Sequence, residues 1–152
     1  MGRGAILKHG DVVKELWYCS WSTKDVARLG VQANKPKHQT FWETLVVLMS
    51  LMIWGHHCSS SPMLVIGDNT AALQNTLDLK GKDALLSIAR EVAWRKARFN
   101  WKFDVAHLPS EYNAAPDALS RQFGPSPKPW PAKELAGAVE VVPPSVAALW
   151  KF

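Results

Sequence analysis

Hydrophobic positions along the chain change period several times, and each change marks an element. Between residues 39 and 54 the apolar positions Trp42, Leu45, Val46, Met49 and Ile53 recur at i, i+3, i+4 and i+7, which at this length predicts a helix. Leu85, Ile88, Ala89, Val92 and Ala93 form a second helical stripe over residues 83–98, with Arg90, Arg95 and Lys96 outside it. Residues 63–66, Met-Leu-Val-Ile, follow the break Ser59-Ser60-Ser61-Pro62 and have the unbroken apolar character of a fully buried strand. Trp101-Lys102-Phe103-Asp104-Val105 instead alternates apolar with charged, the mark of a half-buried strand. Residues 4–19 read as a hairpin, because two β-rich runs flank His9-Gly10-Asp11, where Gly10 can take positive φ.

The connections carry their own signals. Residues 20–38 have no clear period and contain Gly30, Asn34 and Pro36, so a connecting segment with about one helical turn is expected. Asn69 or Thr70 can cap a short helix through Ala71, Ala72 and Leu73. Asn113 can cap another running to Arg121, with Pro116 close enough to its start to be tolerated. The organisation expected is a domain over residues 1–123 followed by a Pro-rich linker or tail over 124–152. The apolar end of that tail, 146–150, is a candidate for docking.

Composition narrows the class. A chain of 152 residues, 47% apolar and 20% charged, is long and apolar enough for one cored domain. Cys19 and Cys58 are too few for a disulfide framework and lack zinc-site spacing, which favours a reducing, intracellular setting, cytoplasmic or nuclear. No signal-peptide pattern opens the sequence, and the most apolar run, residues 44–54, is too short to span a bilayer, so no membrane partner is expected. The net charge of +5 suits a polyanionic partner. Basic residues gather at Lys35, Lys37 and His38 and across Arg90, Arg95, Lys96, Arg98 and Lys102, where a solvated helix face is an equal alternative.

Three carboxylates stand at element boundaries. Glu43 and Asp117 each fall near a helix start, where the helix dipole alone would favour an acid. Asp68 directly follows an apolar strand, at the rim of an α/β sheet where ligand sites recur. Together they suggest a hard-cation cluster, since Mg²⁺ prefers carboxylate oxygens, waters and phosphates, and paired ions promote phosphodiester cleavage.

These strings, in this order, resemble the ribonuclease H domains attached to retroelement reverse transcriptases. QTFWETLVVLMSLMIW is similar to the family's helix bearing the catalytic glutamate, VIGDNTAAL to its strand-aspartate-helix segment, and FDVAHLPSEYNAAPDALSRQF to its closing motif. The resemblance, over residues 2–123, implies Glu43, Asp68 and Asp117 as catalytic metal ligands for Mg²⁺ or Mn²⁺. It implies His107 as a mobile catalytic histidine and Asn113 as a support for the loop. Pro116 stands where the family has alanine. His9, His38, His56 and His57 are assigned no chemistry. The implied partners are an RNA/DNA hybrid and other domains of a retroelement polyprotein.

The implied fold is α/β, a ribonuclease H-like mixed sheet ordered third, second, first, fourth, fifth, with flanking helices. GRGAIL resembles the second strand, so the first, central strand and its aspartate are expected to be missing, leaving unpaired backbone groups at the centre of the sheet. Asp11, in the hairpin turn, and Asp25, in the connecting segment, do not replace it. An intact form would cleave the RNA strand of a hybrid, and this chain is expected to be inactive or strongly impaired. The competing expectation is a non-catalytic nucleic-acid-binding or spacer module of the same superfold. The Asp-Ala-Leu-Ser-Arg ending argues against another nuclease or an integrase of that superfold.

Overall fold

The computed structural model describes residues 2–149, which form a mixed α/β structure. The expected hairpin is present as β1 (Gly2–His9) and β2 (Val12–Ser20), paired antiparallel with a register shift between Leu7 and Lys8. Gly10 takes φ 60 in the turn, a conformation that costs glycine little. The connecting segment is more ordered than expected and contains α1 (Thr23–Leu29). Ser22 and Asp25 form a reciprocal capping box at its start, and Gly30 ends it in the left-handed conformation.

The helix α2 (Gln39–Trp54) has the predicted bounds and is the core's central element, burying Trp42, Leu45, Leu48 and Met49. Its contacts with the hairpin are polar as well as apolar. The Trp17 indole donates to Ser50 Oγ at 3.2 Å, and the Trp54 indole donates to Glu15 Oε2 at 2.8 Å. Buried indole N–H groups need such acceptors, so these bonds fix how α2 lies against β2.

Next come β3 (Met63–Gly67), α3 (Thr70–Asp78), α4 (Ala84–Phe99) and β4 (Phe103–His107). β3 and β4 pair parallel, Met63 opposite Phe103 and Gly67 opposite His107. Two expectations need correction. The alternating strand begins at Phe103, because Trp101 is buried in the connection from α4 and Asn100 ends that helix with φ 52. β3 is not fully buried, as Leu64 and Ile66 are 55% and 51% exposed. One of its edges pairs with β4, and among the described residues the other has no strand beside it.

The helix α5 (Ala114–Ser120) lies on the hairpin, and two glycines let it come close. A Cβ on Gly4 would sit 2.6 Å from Leu119 Cβ, and one on Gly2 would collide with the Ser120 carbonyl. Asn113 precedes α5, but its side chain makes no capping bond. The Pro-rich segment touches back on the body of the molecule at a few points. There β5 (Val139–Glu140) adds to β2 in parallel, and Leu135, Val146 and Leu149 are buried. Trp150, the last residue of the expected docking end, lies outside the described residues.

The strands therefore form two separate sheets, β1-β2-β5 and β3-β4. Among the described residues no helix is long and apolar enough to cross a membrane.

Candidate active site

A groove of about 970 Å³ runs between β1 and β3. The side chains of α2 facing it include Val46, Val47 and Leu51, and α5 contributes Ala115 and Pro116. Glu43, Asp68 and Asp117 all line it, each delivered by a different element.

Glu43 sits in the second turn of α2. Its Oε1 accepts a hydrogen bond from the Gln39 amide one turn earlier. Its Oε2 is buried with no hydrogen-bond partner among the described residues, a costly state for a carboxylate oxygen. The buried Arg3 of β1 feels this charge. Burial lowers the Arg3 pKa, and the Glu43 carboxylate opposes the shift.

Asp68 stands at the C-terminal end of β3, exposed, with Oδ2 accepting from Ser110 Oγ at 2.9 Å. The following Asn69 caps α3 by accepting from the Ala72 amide at 2.9 Å, and this fixes the turn that carries Asp68. The Leu108 amide donates to the Gly67 carbonyl, which ties the loop holding Ser110 to the strand end.

Asp117, in the first turn of α5, is the most heavily paired of the three. Oδ1 accepts from Arg121 Nε at 2.9 Å, and Oδ2 accepts from Lys128 Nζ. Partial burial pushes its pKa up. The hydrogen bonds and charges of Lys128 and Arg121 outweigh that effect and hold the carboxyl below its ordinary value.

His107 is the last residue of β4, opposite Gly67 and exposed. It does not line the groove. The fold thus gathers the three predicted carboxylates around one opening and leaves the predicted histidine on the neighbouring strand end. Among the described residues, no three His, Cys, Asp or Glu side chains stand close enough to share a metal ion.

The donor set also bears on a metal pair. Oε2 of Glu43 has no hydrogen-bond partner among the described residues and Ser110 occupies only Oδ2 of Asp68, but both oxygens of Asp117 are neutralised by cations and the three carboxylates do not stand close enough to share an ion. In this arrangement the residues do not fit two Mg²⁺ ions. The cations Arg3, Arg121 and Lys128 were not assigned to the site from sequence. Arg121 had a usable signal, since it follows Asp117 by one helical turn. Lys128 had none, because only the return of the Pro-rich segment brings it there.

A second surface lies on α4. Trp94 and Phe99 are 42% and 52% exposed, and the Arg98 guanidinium lies 5.8 Å from both ring centroids. Arg90 and Lys102 are exposed nearby in sequence. Arg95 is committed inward, with Nε 2.6 Å from Oε1 of the fully buried Glu91.

Comparison with protein-family models, with curated proteins and with solved structures finds no match for this chain.

Proposed function

We propose that the chain is a ribonuclease H-like domain of retroelement origin whose carboxylates, in the arrangement described, do not hold a metal pair, and that it does not cleave nucleic acid unaided. The observation that carries this is the convergence of Glu43, Asp68 and Asp117, from a helix, a strand end and a later helix, on one groove. Three separate elements each deliver a carboxylate to this one opening, an acidic lining of the kind that cation-dependent phosphodiester chemistry uses. Mg²⁺ or Mn²⁺ is the cation, and an RNA/DNA hybrid the substrate, that the resemblance implies for such a site. No step is assigned to a metal on the residues as they stand.

The experiment is incubation of the full chain with a labelled RNA/DNA hybrid and Mg²⁺ or Mn²⁺. No cleavage above background is expected. Strong cleavage that Asp68→Asn abolishes would overturn the inactive reading and show that three carboxylates suffice.

A non-catalytic nucleic-acid-binding role is the second reading, supported by the exposed Trp94, Arg98 and Phe99 on α4. Exposed aromatics interleaved with guanidinium groups can stack on bases and pair with phosphates. Hybrid binding without cleavage is the outcome this role requires.

A further inference from the structure

We propose that the groove between β1 and β3 is a strand-acceptor slot, which takes one extended, apolar polypeptide segment and joins the two sheets into one. Each bordering strand uses one edge only. β1 pairs with β2, β3 pairs with β4, and among the described residues no backbone hydrogen bond bridges β1 and β3. Two rows of N–H and C=O groups therefore face one opening, and an unpaired edge is a template for another strand. A small molecule cannot match two opposed rows, and a helix has no free backbone groups along its length. An extended backbone matches both.

The two borders set the kind of pairing such a segment makes. The start of β1 lies against Ser120 of α5, on the Asp117 side, while His9 at its end lies 6.0 Å, ring to ring, from His57, ahead of β3. β3 runs from that end toward Asp68, so β1 and β3 are antiparallel to one another. Whichever way it runs, the inserted segment is antiparallel to one border and parallel to the other, and both ladders are permitted. Its length follows from the borders, five residues of β3 and eight of β1.

The walls set its composition. On one side it meets Val46, Val47 and Leu51 of α2, and on the other Ala115 and Pro116 of α5, so alternate residues on both faces meet apolar surface. Leu64 and Ile66, half exposed on β3, gain cross-strand neighbours from it. The partnerless Oε2 of Glu43 lines the same slot and accepts from a donor on the occupant. A β-branched segment carrying one hydroxyl or amide donor fits all of these features. The inference needs only the two edges and their walls, so it stands apart from the nuclease reading.

The test uses the full chain and a synthetic peptide of about eight Val and Ile residues carrying a single Thr, with a Lys at each end for solubility. The control has Pro in place of its central Val. Amide hydrogen exchange is followed in β1 and β3 together. Once the peptide reaches ten times its Kd, exchange in both strands slows about tenfold, and the Pro control leaves it unchanged. Three results would overturn the proposal: no protection in either strand, protection confined to one, or protection that appears without peptide as the chain dimerises. Hybrid cleavage assayed in parallel keeps the two ideas separable, because peptide uptake is expected whether or not cleavage occurs.

Discussion

Asp117 holds two cations at once, and its pH response follows from them. Its carboxyl lies below its ordinary value of 3.8, so the native state binds fewer protons there than the unfolded chain. The resulting stability is fully present above the unfolded-state pKa and is lost as pH falls through the lower folded-state pKa. Because Arg121 and Lys128 are half exposed, the contribution is small. Asp117→Asn is expected to cost about 0.5–1 kcal/mol in urea denaturation at neutral pH, and the difference closes in acid. A difference that persists unchanged below the folded-state pKa would contradict the ion-pair assignment. Gly4 has the opposite character, since its contribution is what it lacks. Gly4→Ala puts a Cβ into Leu119 and is expected to cost about 1–3 kcal/mol, read from the same denaturation curves.

Elements separate into those whose periodicity is self-sufficient and those that need partners. α2 and α4 were legible because sixteen residues each carry a buried stripe. α1 has no stripe to reveal its full length, because none of its residues is buried, and its strongest signal is the capping box. Ser22→Ala removes that box and is expected to cost about 1 kcal/mol, with the loss of helical signal confined to residues 23–29. On α4 the arginines look alike in sequence but differ in structure. Arg95 compensates the fully buried Glu91, so Arg95→Ala strands a buried charge and is expected to cost about 3–5 kcal/mol. Arg98, exposed between Trp94 and Phe99, is the residue to change when binding alone is tested.

At the scale of the whole molecule, the +5 charge and the α4 surface predict weak hybrid affinity that falls steeply with salt. Arg98→Ala is expected to weaken that binding across sequences and to lower the slope of log K against log salt by about 1. Affinity independent of salt would remove α4 as a nucleic-acid surface. The same scale explains what local pattern could and could not reveal. The hairpin, the two long helices and the position of β3 could be read from the sequence, because each depends on residues within a few positions of one another. Only the tertiary structure decided that β1 and β3 flank an open groove, that Lys128 closes on Asp117, and that Leu135, Val146 and Leu149 return to the core. Those outcomes join residues far apart in the chain. A strand's own pattern specifies which face is buried but not which edge finds a partner, so the apolar run of β3 predicted full burial and its groove-facing edge went unpaired.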